Sequence, residues 1–389
     1  MAYNFDEIIK RENTNCVKYD LRKEYFGKED VMPLWVADMD FATPDFIREA
    51  VIARAMHPIY GYTLRNDEFP DSIISWMKKR HNWQLNKEWI SFSPGIVPAL
   101  NMCVLAYSNP GDKILIQPPV YHPFFRAIKD HKRQLITNEL AYQNEAYSIN
   151  FEDFETKAKE ARIFILSHPH NPVGRLWNQE ELSRMLEICK KHEVIILSDE
   201  IHSDLILGKE KHIPLLTLPE AEKQVISMYA PSKTFNLAGL STSFLIIPNK
   251  ELKVIYDRML DNLHMGLGNI FGFVALQAAY THGEEWLEQL LAYLRGNVDF
   301  LTEYIRNHIP RVKVIKPEAT YLVWLDFKDL NMTKEELRNF IIHKAGLGLN
   351  DGPSFGPGGE GFQRINVATP RSLLQTAVER LKNAIGNLG

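Results

Sequence analysis

Asn171, Asp199 and Lys233 stand in that order along the chain, each just beyond a short apolar run. An amide can orient a neighbouring oxygen, a carboxylate can hold a cationic nitrogen, and an amine can act as nucleophile or base. Upstream, Ser93-Pro94-Gly95-Ile96-Val97 makes a glycine turn into a helical pattern whose free backbone N–H groups could hold a phosphate. Pro118-Pro119-Val120-Tyr121 puts an aromatic ring on a stiff loop, Asn171-Pro172-Val173-Gly174 fixes its amide with a proline, and Ser232-Lys233-Thr234 sets a hydroxyl beside the amine. Each has an ordinary explanation when taken singly. Asn-Pro-x-Gly is a turn, a lone aspartate at a strand end caps a helix as often as it binds a ligand, a lone lysine is a solvated charge, and Tyr121 plugs an edge of the core. An amide, a carboxylate and an amine in series, each past its own strand, are hard to obtain by chance.

The elements that must position them alternate short β-rich runs with longer helical patterns, the mark of a mainly parallel sheet covered by helices on both faces. Strands are expected at residues 89–92, 113–117, 163–167, 194–198, 225–229 and 243–247. Several are apolar without alternation, as strands buried on both faces should be. In such a sheet, ligands bind beyond the carboxyl ends of the strands, where the residues above fall. Leu182, Met185, Leu186 and Cys189 recur at helical spacing over residues 178–192, with Asn178 as the cap, and a long helix is expected from about 270 past 291. Beyond about 295, strands at 312–315, 321–326 and 364–367 mix with helices at 334–345 and 372–385, a smaller α+β domain. The expectation is an α/β fold: a large domain over 50–290 with a seven-stranded type of sheet, and a small one formed by 1–49 with 291–389.

The 389 residues suit two domains. A net charge of −4 with no long block of one sign argues against nucleic acid and membrane surfaces as partners. Cys16, Cys103 and Cys189 form no C-x-x-C pair, which argues against a disulfide framework or a zinc site and for a reducing cytoplasm. The longest apolar runs fall far short of the roughly 18 residues of a membrane helix, so neither export nor insertion is expected. Asp199, Glu200, His202 and Asp204, on a strand continuing past Ser198, could be mistaken for metal ligands, but one histidine among three acids makes a poor set and no metal is expected. The segment 356–361 lacks the Gly-Lys-Ser/Thr ending of a P-loop and reads as a mobile loop leading to Arg364.

The order of these residues also resembles the fold-type I pyridoxal-phosphate enzymes of the aspartate aminotransferase superfamily, over nearly the whole chain. Within it the sequence looks closest to the carbon–sulfur β-lyase branch, the MalY/PatB type of cystathionine β-lyase and cystalysin. The strings that carry the resemblance are residues 35–41 (WVADMDF), 61–63 (GYT), 198–202 (SDEIH), 230–240 (APSKTFNLAGL) and 362–366 (FQRIN). The resemblance implies pyridoxal 5'-phosphate as cofactor, with Lys233 joined to its aldehyde and later acting as base at the substrate Cα. It implies that Asp199 keeps the ring nitrogen protonated, that Asn171 bonds the ring oxygen, and that Tyr121 stacks on the ring, with His202 nearby. Gly95, Ile96, Val97 and Ser232 would hold the phosphate. Arg364 would clamp the substrate carboxylate with its two-pronged guanidinium, beside Tyr121 and Ala37. Tyr62 would reach the phosphate of a neighbouring subunit, which implies a homodimer.

Two features depart from the aminotransferase pattern. Ser241 and Thr242 stand where an arginine usually binds phosphate, and His202 stands where a tyrosine is common. Both departures are shared by the β-lyase branch and favour elimination. Where that branch often has a second tyrosine, this chain has His122. The expected reaction is α,β-elimination of L-cystathionine, L-cysteine or a related S-substituted cysteine to pyruvate, ammonia and a thiol or sulfide. An aminotransferase on the same cofactor is the alternative, and a cofactor-bearing binding protein is a third.

Overall fold

The structure, a computed structural model, describes residues 2–388. Its main sheet has seven strands: β1 (Ile90–Ser93), β2 (Lys113–Ile116), β3 (Gln134–Thr137), β4 (Ala161–Ser167), β5 (Ile195–Asp199), β6 (Val225–Tyr229) and β7 (Ser243–Ile246). They lie in the order β1-β7-β6-β5-β4-β2-β3, with β7 antiparallel to both neighbours and the other pairs parallel. β5 and β6 are buried at every position, because helices cover both faces, and their sequences accordingly do not alternate: β5 is apolar up to Ser198 and Asp199, and β6 is apolar but for Ser227. β3 was not expected: it is the edge strand, only partly buried, and its short Gln-Leu-Ile-Thr sequence carries no strong pattern.

The helix Gln179–Lys191 starts on a reciprocal cap, with Asn178 Oδ1 accepting from the Glu181 N–H at 2.9 Å and the Glu181 carboxylate accepting from the Asn178 N–H at 2.9 Å. The single long helix expected after residue 270 is instead two, Ile270–His282 and Glu284–His308, meeting at Gly283. A Cβ at Gly283 would lie 2.3 Å from the Ala279 carbonyl oxygen and 2.3 Å from the Phe235 ring. Glycine thus lets the junction press against the segment just after Lys233, while apolar spacing that runs through both helices hides the break.

The second, smaller unit carries the antiparallel strands β8 (Lys313–Ile315), β9 (Leu322–Asp326), β10 (Asn350–Asp351) and β11 (Phe362–Asn366), in the order β8-β9-β11-β10. The helices Lys334–Asn339 and Arg371–Gly386 accompany it, the first continuing into a π turn over Phe340–Lys344. Part of the N-terminal segment joins this unit: Met32–Pro33 pairs in parallel with Leu347–Gly348, and the Asn366 amide donates to the carbonyls of Val36 (2.7 Å) and Asp38 (2.6 Å). The positions 49/50 and 290/291 fall inside the helices Asp45–Ala55 and Glu284–His308, so continuous helices carry the chain there. In the segment 356–361, expected to be a mobile loop, Pro357, Gly358 and Glu360 are exposed, while Gly359 is buried and a Cβ at Gly356 would lie 2.4 Å from the Phe125 ring.

Candidate active site

At the carboxyl ends of the parallel strands a cavity of about 130 Å³ gathers Ala37, Gly95, Ile96, Val97 and Tyr121 with Asn171, Asp199, His202, Ser232 and Lys233. Arg364 lines an adjoining cavity that shares Ala37, Tyr121 and Lys233. Tyr62 stands apart from both, 96% exposed on a surface it shares with Tyr60 and Leu267.

Lys233 sits on the one-turn helix Pro231–Thr234, directly after β6. Its Nζ donates to the Ala37 carbonyl at 2.6 Å, an oxygen that also accepts from the Tyr321 hydroxyl at 2.9 Å. Burial lowers the ammonium pKa to about 8, with the Arg364 cation acting in the same direction and Asp38 and Asp199 opposing. Roughly a tenth of the amine is therefore free base at pH 7, far more than for an ordinary lysine. The next residue, Thr234, donates through Oγ1 to Asp204 at 2.9 Å, and Asp204 in turn holds Trp76 Nε1 (3.2 Å) and His81 Nε2 (3.1 Å). Burial opposes ionisation of Asp204, but the bonds from His81 and Thr234 and the Arg80 charge outweigh it and keep the carboxyl below its usual range. The lysine turn is tied to a buried anion.

Asp199 is the last residue of β5. Burial raises its pKa to about 7, and Glu200 adds to this, while the Ile201 N–H, 3.2 Å from Oδ1, and the Lys233 charge pull the other way. Its second oxygen accepts nothing from the described residues. The neighbouring acids go elsewhere: Glu200 accepts from Ser227 (2.7 Å) and Tyr229 (2.5 Å) and pairs with His212 (2.7 Å). The strand does not continue past Asp199; the chain turns there, and Asp199, Glu200, His202 and Asp204 share no face. His202, driven down to about 3 by burial and then by the charges of Lys233 and Arg364, is neutral, and its Nδ1 has no partner.

The opposite end of the cavity receives the start of the helix Ile96–Tyr107, with Gly95 as its extended first cap and unpaired N–H groups in its first turn. The hydroxyl residues Ser232, Ser241 and Thr242 line the same cavity, and Lys233 is the only cation among its described lining residues.

Arg364, on β11, bridges the two units. Nη1 donates to Asn171 Oδ1 at 2.8 Å, while Nη2 donates to Asn350 Oδ1 at 2.6 Å and to the Trp35 carbonyl at 3.1 Å. Its Nε is buried without a partner, and no described carboxylate pairs with it. Burial lowers its pKa to about 10. A buried guanidinium held only by neutral acceptors is a site prepared for an anion.

These features fit pyridoxal 5'-phosphate: N–H groups and hydroxyls for the phosphate, an open oxygen on a buried carboxylate for a protonated ring nitrogen, and an amine whose lowered pKa eases its attack on the aldehyde. Trp35, Asn350 and Tyr321 were not anticipated as site residues. Trp35 acts through a backbone carbonyl and Asn350 sits on a two-residue strand, so neither leaves a side-chain pattern to read. Tyr321 opens an expected strand and, as an ordinary strand residue, signals nothing by itself.

Residues 29–381 match the aminotransferase class I and II family. The chain is 41% identical to cystathionine beta-lyase PatB of Bacillus subtilis (strain 168), over 98% of this chain and all of that one. Among solved structures it superposes on cystalysin from Treponema denticola, which contains pyridoxal 5'-phosphate, with a TM-score of 0.97 and 34% identity over the full length of both chains. The pyridoxal-phosphate-bound C-S lyase from Staphylococcus hominis superposes with a TM-score of 0.93 and 35% identity, over 99% of this chain and 98% of that one.

Proposed function

The chain belongs to the aminotransferase class I and II family, and from that premise we propose that it is a pyridoxal-phosphate-dependent carbon–sulfur β-lyase. It splits L-cystathionine, L-cysteine or related S-substituted cysteines into pyruvate, ammonia and a thiol or sulfide. The observation that carries this reading is the meeting of a buried lysine of lowered pKa, a buried carboxylate and an arginine without a carboxylate partner on adjoining cavities, in a chain similar end to end to named carbon–sulfur lyases.

When bound, pyridoxal 5'-phosphate supplies an electron sink for the charge left at Cα when its proton departs. The rest falls to the protein. The N–H groups of Ile96 and Val97, the Gly95 turn and the hydroxyls of Ser232, Ser241 and Thr242 hold the phosphate without an arginine. Asp199 keeps the proton on the ring nitrogen, and Tyr121 covers a ring face beside His202. Asn171, its Oδ1 engaged by Arg364, is left with Nδ2 to donate to the ring oxygen. Arg364 grips the substrate carboxylate with Nε and an Nη, and Lys233 takes the Cα proton.

In this reading, residues 50–290 form the cofactor-holding domain and 1–49 with 291–389 the smaller one. The exposed Tyr62 completes the phosphate site of a second copy in a homodimer, and the enzyme works in the cytoplasm. No helix among the described residues is long and apolar enough to cross a membrane. The test is pyruvate release from L-cystathionine and L-cysteine with no keto acid present. Faster amino transfer from alanine or an aromatic amino acid to 2-oxoglutarate would overturn the reading.

A further inference from the structure

The cavity that adjoins Lys233 and Arg364 encloses about 380 Å³ and leads outward to a second pair of charges that the elimination does not use. Its lining includes the apolar Phe26, Val36 and Leu349, with Tyr25 and Trp35 packed at 4.2 Å between ring centroids, alongside the polar His122, Asn350 and Ser354. At its outer end stand Arg338, from the helix Lys334–Asn339, and Asp351, from the edge strand β10. Arg338 Nη1 donates to Asp351 Oδ2, and Nη2 donates to the Tyr25 carbonyl at 2.7 Å. Gln363 Nε2 donates to Asp351 Oδ1 at 2.9 Å. Both groups remain reachable, with side chains 43% and 21% exposed.

We propose that Arg338 and Asp351 are specificity-determining residues that receive a zwitterionic head on the substrate's distal arm and so discriminate among the S-substituted cysteines. This rests on the β-lyase reading and assigns the residues that select within it. The amino acid to be cleaved is held by its carboxylate on Arg364. The arm beyond sulfur runs along the aromatic wall, which suits methylenes, and ends where a cation and an anion stand side by side. A lone arginine would favour a simple anion, whereas the opposed pair offers the guanidinium to a carboxylate and Asp351 to an ammonium at no net charge. Asp351 can take both, since a carboxylate has about four acceptor positions and the described residues fill two. Cysteine and S-alkyl cysteines reach none of this.

The test compares L-cystathionine with S-butyl-L-cysteine, which has a distal arm without a charged head, in wild type, R338M and D351N, with melting temperatures alongside. Each substitution should lower kcat/KM for L-cystathionine about tenfold, mainly through KM, the scale of one charge-assisted contact. S-butyl-L-cysteine should stay within about twofold. Equal losses on both thioethers would make the pair a clip between β10 and the Tyr25 segment and overturn the subsite, as would unchanged use of L-cystathionine. D351N is nearly isosteric, so it decides the matter if R338M folds poorly. Calorimetric affinity of the two thioethers for K233A and for K233A carrying each substitution reads the same discrimination without turnover. Failure of wild type to release pyruvate from either thioether would remove the β-lyase reading, while these affinities still decide the subsite.

Discussion

Asn171 accepts a hydrogen bond from Arg364 at 2.8 Å, and this one contact joins the loop after strand β4 to the strand β11 of the smaller sheet. The residue proposed to bond the cofactor ring oxygen and the residue proposed to hold the substrate carboxylate therefore orient each other. Loss of the arginine removes a substrate contact without removing any residue assigned to the phosphate.

Arg364→Ala should weaken substrate use by roughly 2–5 kcal/mol in kcat/KM, the cost of truncating one partner of a desolvated charge pair. Cofactor content should stay unchanged. Lysine cannot reproduce the two-pronged contact, so Arg364→Lys should recover only part of the loss. Steady-state kinetics with cofactor absorbance check this, and a normal KM accompanied by a lower Tm would reduce Arg364 to a structural tie.

Lys233→Ala should lower turnover by more than about a thousandfold, because nucleophile and base vanish together. Borohydride reduction of the wild-type holoenzyme followed by peptide mapping should place the label on Lys233. A label on any other lysine would refute the assignment.

For Asp199→Asn the expected result is retained cofactor with turnover reduced by orders of magnitude, since the ring nitrogen is no longer kept protonated. The cofactor-free protein gives an independent check. Its Asp199 pKa is raised from 3.8 to about 7, so the folded state binds the proton more tightly than the unfolded chain, and this contribution to stability is lost as pH rises through that window. The Tm difference between the apo forms of wild type and Asp199→Asn should therefore move against wild type from about pH 4 to pH 7. A difference that stays flat with pH would show that Asp199 is not buried as described.

Gly272→Ala should damage the phosphate end from outside it. An added Cβ would lie 1.8 Å from Thr242 Oγ1 and 2.5 Å from the Leu240 carbonyl oxygen. Thr242 and the backbone before it must move, at a cost of about 1–3 kcal/mol as in other overpacked sites. Cofactor affinity and Tm should both fall, as read by absorbance titration and thermal melts; an unchanged affinity would separate Thr242 from cofactor binding.

The sequence is most legible where burial is complete. β5 and β6 are mainly apolar and do not alternate because both faces are covered, so Asp199 and Lys233 could be placed at or just past strand ends from pattern alone. Legibility fails where long-range contacts decide. The segment 35–41 has no strand or helix pattern. It is held by Asn366, Arg364 and Asn236, which lie hundreds of residues away, and its role entered only through family resemblance. The junction at Gly283 was missed for the same reason, since the close approach of Phe235 that leaves no room for a Cβ there comes from across the fold.

The pairing of Met32–Pro33 with Leu347–Gly348 has a consequence for the order in which the protein is made. A ribosome releases the early strand and the whole lysine-bearing sheet long before it releases the partner of that strand. During that interval the segment carrying Ala37 has neither Arg364 nor Asn366 to hold it, so the pocket emerges with one wall unfastened. Nascent chains arrested before residue 347 should display a folded main sheet and an open cleft, and the catalytic architecture closes only as synthesis ends.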